Sequence, residues 1–94
     1  LPGHGIGPEI SEAVIKIFDS CQVPIQFEHH EIHLTKQTVE GDLISNETLD
    51  ALKKYRYGLK GPFETPIGKG IRSLNVTLRK RLQLYANVRP CKSI

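Results

Sequence analysis

The sequence predicts an α/β fold in which helices and strands alternate and the first strand is missing. Three observations carry that expectation. Apolar residues recur with helical period from about Pro8 to Cys21 and again after Ser45. A short strand-like run follows each of these helices, giving the order helix, strand, helix, strand. The chain also opens on Leu1-Pro2-Gly3, a turn with nothing before it that reads as the exit of a strand. Ninety-four residues make one small domain or part of a larger one, with a modest core. A fragment spanning residues 1–94 of a single larger α/β domain is therefore expected.

Gly3-His4-Gly5-Ile6-Gly7-Pro8-Glu9 is a glycine-rich turn running into the first helix. Pro8 suits the first helical position, and Glu9 and Glu12 complement the positive helix N-terminus. Ile10, Ala13, Val14, Ile17, Phe18 and Cys21 then form one apolar stripe. The opening is not a dinucleotide fingerprint: counted from Gly3, the third glycine of G-x-G-x-x-G would fall at Pro8, and no well-defined acidic residue follows about twenty positions on. A helix-leading turn placed near a ligand stays open. Cys21 and Cys91 are the only cysteines. A bridge is conceivable, but Cys21 on the stripe is better read as a buried reduced thiol.

Val23-Pro24 breaks the chain, and Ile25 to Ile32 alternates as a strand would. His29, His30 and His33 make a poor metal site, since adjacent residues of a strand face opposite ways; a solvated strand end is the better reading. Thr35 to Asp42 is polar and reads as a loop. Ser45 is a good N-cap for a second helix, with Ile44 and Leu49 at hydrophobic-staple spacing. Leu49 and Leu52 face inward, and Lys53, Lys54 and Arg56 suit the helix C-terminus. Tyr57 to Lys60 reads as a short strand.

Gly61 to Gly70 holds three glycines and two prolines. It is either a constrained loop through which backbone approaches a ligand or a plain surface connection. A third helix opens at Ser73, with Leu74, Leu78, Leu82 and Tyr85 on one face and Asn75 and Arg79 together on another. Helix N-termini favour anions. Ser73, Asn75 and Arg79 there, with Arg89 from a probable strand at Ala86 to Arg89, make a candidate site for a multiply charged carboxylate. The bland alternative is a set of ordinary surface polar groups.

Charge distribution points the same way. Residues 1–50 carry two basic and nine acidic side chains, whereas residues 51–94 carry eleven basic and one acidic, Glu64. The basic half favours an anion, or else pairs with the acidic half or with a missing segment. It lacks the interleaved aromatics of a nucleic-acid module, so no nucleic-acid partner is expected. No apolar run is long enough to span a membrane.

These residues resemble a known family, the metal-dependent β-decarboxylating isocitrate and isopropylmalate dehydrogenases. The resemblance rests on Leu1 to Ile10, on Leu59-Lys60-Gly61-Pro62 with Thr65-Pro66, on Arg72 to Val76, on Leu78-Arg79-Lys80, and on Leu84 to Pro90. The second half is the more specific and is closest to the isocitrate branch, in particular to catalytic subunits of the mitochondrial NAD-dependent enzymes. The resemblance implies the non-Rossmann fold of that family. It also implies oxidation of isocitrate to 2-oxoglutarate with loss of carbon dioxide, the step found in the tricarboxylic acid cycle. Ser73, Asn75, Arg79 and Arg89 would hold the substrate carboxylates. Thr65 would lie beside the nicotinamide of NAD, and Ile6 would border the cofactor cleft.

Mg2+ or Mn2+ would be held, and the catalytic tyrosine and lysine supplied, by residues beyond Ile94, so the 94 residues alone are expected to be inactive. The resemblance further implies association with family subunits and a mitochondrial matrix location, cytoplasmic in a bacterium. His4 departs from the family pattern, which has an aspartate there and leaves the hydrogen bonding of the turn in doubt. The runner-up reading is a regulatory subunit or truncated paralogue that binds an anion or a partner. Retention of Arg89-Pro90 favours the catalytic one.

Overall fold

The computed structural model describes residues 1–33, 43–64 and 73–94. Its elements are helices α1 (Gly7–Ser20), α2 (Asn46–Tyr55) and α3 (Leu74–Arg81). All three starts were legible. Pro8 occupies the first turn of α1. Ser45 caps α2 by accepting a hydrogen bond from the Thr48 N–H at 3.2 Å, and Ser73 stands at the N-cap of α3 without a side-chain capping bond.

α1 ends where expected, with Cys21 as its C-cap, whereas α3 stops short of Tyr85, and both close in the same way. After α1, Val23 N–H reaches Phe18 O at 3.0 Å and Gln22 N–H reaches Asp19 O at 3.0 Å. After α3, Leu84 N–H reaches Arg79 O and Gln83 N–H reaches Lys80 O, both at 3.0 Å. Both are the paired 6→1 and 5→2 bonds of a Schellman ending. Gln22 and Gln83 hold the left-handed position that glycine usually takes, each at φ 53°. α3 therefore stops at Arg81 and does not carry its apolar face to Tyr85, which is fully exposed. Cys21 is the C-cap of α1 and is exposed, as is Cys91, and both are free thiols. The expected burial of Cys21 is thus corrected: among the described residues nothing covers this end of the stripe, and Ile17 one turn earlier is exposed as well.

Among the described residues there is no strand. The expected strands at Ile25–Ile32, Tyr57–Lys60 and Ala86–Arg89 run without a ladder, because a strand exists only through a neighbouring edge that takes its N–H and C=O groups. One fragment of such pairing is present. The Leu1 amine donates to Leu59 O at 3.0 Å, and Gly61 N–H donates to Leu1 O at 2.8 Å. One residue bonded to positions two apart on a neighbouring segment is the pattern of a parallel pair. An open groove of about 1130 Å3 lies beyond it, lined by Ile15 and Phe18 of α1, by Phe27 and Leu59, and by Leu52 of α2.

The core sits between α2 and α3. Ile44 and Leu49 are buried, so the staple across the start of α2 forms as the spacing predicts, and Leu74 and Leu78 of α3 pack into the same cluster with Ile32 and Leu43. Arg81 Nη2 donates to Asn46 Oδ1 at 3.0 Å, tying the end of α3 to the start of α2. α1 stands outside this cluster, burying only Gly7. The radius of gyration is 14.8 Å, above the roughly 12 Å of a compact chain of this length.

His4 closes the opening turn onto the segment after Tyr57. Its backbone N–H donates to Pro62 O at 2.8 Å. Its Nδ1 accepts from Glu64 N–H at 3.2 Å, so the ring proton is assigned to Nε2, which donates to Ile32 O at 2.7 Å. The doubt attached to this position is resolved: the imidazole supplies its own pair of hydrogen bonds. Gly3 (φ +84°) and Gly61 make the closure possible, since a Cβ on Gly3 would clash with Pro62 O and one on Gly61 with Pro2 O.

His30 is likewise structural. Its Nε2 bonds Glu28 Oε1 at 2.7 Å and its Nδ1 lies 3.3 Å from Thr48 Oγ1. The Tyr55 hydroxyl donates to Glu28 Oε2 at 2.6 Å, and this bond first, then that of His30, holds the Glu28 carboxyl below the usual carboxylate range.

Candidate functional site

The loop into α3 is only partly described: Thr65 and the rest of the run to Gly70 fall outside the described residues. What is described is a cavity of about 730 Å3 between the C-terminal end of α2, the Tyr57–Lys60 segment, α3 and the chain after it. Asn75, Arg79 and Arg89 all line it. Asn75 and Arg79 are brought there by their four-residue spacing on α3, and Arg89 comes from the segment that follows. Arg79 is held in place by donating from Nη2 to Ala86 O at 3.3 Å.

The fourth predicted residue behaves differently. Ser73 is half-buried at the N-cap and does not line the cavity. Because α3 has only eight residues, Arg79 falls in its last turn and not near its start. The positive helix N-terminus therefore does not act on the Arg79 position, and the field there comes from side chains.

Sequence reasoning missed three cavity-lining cations, Lys53, Arg56 and Lys60. Lys53 and Arg56 complement the α2 dipole, which does not exclude a second use. The signal that could have found them was the eleven-to-one charge ratio of the second half. Lys60 Nζ donates to Gly61 O at 2.7 Å and lies 4.5 Å from the Phe63 ring centroid. Burial pushes its ammonium below its ordinary value. Five cationic side chains thus border one cavity and no carboxylate does. Such a lining concentrates anions, and guanidinium forks suit carboxylates in two-point contact.

The described residues offer no donor set for a divalent metal: no three His, Cys, Asp or Glu side chains come together. Ile6, expected at the cofactor cleft, is the exposed N-cap of α1 and lines neither cavity. The glycines of the opening turn do not cradle a phosphate either. The space beside Gly3 is filled by the chain's own Pro62 carbonyl, an acceptor that would repel a phosphate oxygen. Among the described residues no helix is long and apolar enough to cross a membrane.

Comparison with known proteins agrees with the motifs. The family model for isocitrate/isopropylmalate dehydrogenase matches residues 1–94. The chain is 52% identical over all 94 residues to a chloroplastic 3-isopropylmalate dehydrogenase of Solanum tuberosum. It is equally 52% identical to mitochondrial NAD isocitrate dehydrogenase catalytic subunit 5 of Arabidopsis thaliana, and 49% identical to the mitochondrial NAD isocitrate dehydrogenase subunit alpha of Homo sapiens. Each match covers the whole of this chain but only 26%, 25% and 26% of the respective relative, so the chain spans about a quarter of their length. Since the family model spans the whole chain, the chain belongs to the isocitrate/isopropylmalate dehydrogenase family.

Proposed function

We propose that these residues form the substrate-carboxylate side of an NAD-dependent isocitrate dehydrogenase, completed by chain outside the 94 residues. The observation that carries this reading is the meeting of Asn75, Arg79 and Arg89 on one acid-free cavity. Two guanidinium groups from different segments can each grip a carboxylate while the Asn75 amide orients a third polar group. Held this way, the alcohol carbon is fixed in position for hydride transfer to a nicotinamide, and orientation of this kind lowers the barrier by removing rotational freedom before the reaction. Ser73, whose hydroxyl is not spent on capping α3, would add a hydroxyl to the same carboxylate set. NAD and the divalent metal would be bound with residues outside this chain, along with Thr65 and Ile6. The missing first strand would lie in the 1130 Å3 groove beside Leu59 and restore the sheet of an α/β fold. Relatives named as mitochondrial subunits support a matrix location and association with further subunits.

The potato relative, named as an isopropylmalate dehydrogenase and equally identical, supports a second substrate reading. The motif from Ser73 to Arg79 favours isocitrate. The test is NAD reduction by a full-length enzyme carrying these residues, with each acid supplied in turn. Isocitrate should be oxidised in preference. Arg79→Ala should lower kcat/KM for isocitrate about tenfold to a hundredfold, the loss of one charge-assisted hydrogen bond at about 1.5–3 kcal/mol. Unchanged kcat/KM in that variant would remove Arg79 from the site.

A further inference from the structure

Five cations border the 730 Å3 cavity, and three of them are not part of the proposed substrate set. Lys60 is committed to Gly61 O and the Phe63 ring. Lys53 and Arg56 are exposed and make no ion pair among the described residues. They stand on the α2 side, across from Asn75 and Arg79 on α3. A tricarboxylate brings three negative charges to five positive ones, which leaves two uncompensated.

We propose that Lys53 and Arg56 form a second anion subsite in this cavity, which holds an oxyanion, phosphate or carboxylate, at the same time as substrate. The proposal rests on the reading of Asn75, Arg79 and Arg89 as the substrate set. Arg56 supplies a planar fork for two oxygens and Lys53 a mobile point charge, a pairing suited to a tetrahedral or planar oxyanion. Occupancy would lower the positive potential of the cavity, so oxyanion and substrate would each weaken the other's binding. A small anionic metabolite could in this way tune the site without displacing the substrate.

The test uses the full-length enzyme with saturating isocitrate and no NAD, titrated calorimetrically with inorganic phosphate and, separately, with acetate. The wild type should bind one equivalent of at least one of these ions, and the tighter of the two identifies the oxyanion. Lys53→Gln combined with Arg56→Gln should weaken that binding at least tenfold, whereas Arg79→Ala should change it less than threefold. Both changed residues are exposed, and a matching thermal unfolding profile verifies that the fold is kept. Absence of binding, equal binding by the double variant, or loss of binding in Arg79→Ala would each overturn the second subsite. Because the readout needs no turnover, a protein that binds phosphate in this pattern but does not oxidise isocitrate refutes the substrate reading alone.

Discussion

α1 and the α2–α3 pair meet the same physical requirement with opposite results. Each helix carries an apolar face that must leave water. Leu49 of α2 and Leu74 and Leu78 of α3 are buried against Ile44, Leu43 and Ile32. α1 has the longer and more regular stripe, yet Ile10 and Ile17 remain 46% and 59% exposed. What separates them is the neighbourhood. The staple across Ser45 and the Arg81–Asn46 bond bring α2 and α3 onto one cluster, whereas α1 meets the chain mainly through its first turn and the Phe18–Phe27 ring contact. Amphipathicity states that a face needs cover; it does not say which segment supplies it.

The comparison is broken most sharply at Leu74, which is 2% exposed. Leu74→Ala should cost about 2–5 kcal/mol, the range for truncating a buried leucine, and in so small a core it should abolish cooperative denaturant unfolding. Retention of the wild-type midpoint would mean the α2–α3 cluster is not what holds the fold. A smaller effect is expected where α1 is joined to the rest. His4→Ala leaves Ile32 O and Glu64 N–H without their side-chain partner and should cost about 1–3 kcal/mol. Amide exchange should rise at Glu64 while remaining slow at Leu78. Equal acceleration at both would show that the closure and the core are one unit.

The helices and their starts were legible because N-caps and periodic apolar positions are local chemistry. Ser45 with Ile44 and Leu49 needed no knowledge of the rest of the chain. Helix ends were less legible, since Gln22 and Gln83 occupy a backbone conformation that glycine ordinarily signals. The expected strands at Ile25–Ile32, from its alternation, and at Tyr57–Lys60 rest on local sequence, but pairing is a property of two segments and cannot be fixed by one. In the candidate site, the spacing of Asn75 and Arg79 gave their shared face correctly. The presence of Lys53 and Arg56 on the same cavity depends on how α2 meets α3, which no local pattern encodes.

The smallest effect tests what the α1 stripe is for. Ile17→Ser replaces a side chain more than half exposed by one of similar helix propensity, so in the 94-residue chain it should shift stability by no more than about 0.5 kcal/mol. The relatives are about four times as long. If further chain covers α1 in a protein of that length, the same substitution removes a buried isoleucine and should cost about 1.5–3 kcal/mol instead. Denaturant unfolding of the variant in both lengths reads the difference directly. A large cost in both would place Ile17 in the existing core, contrary to its exposure. A negligible cost in both would mean that the stripe stays in water at Ile17, and that α1 is held through its first turn and the Phe18–Phe27 contact.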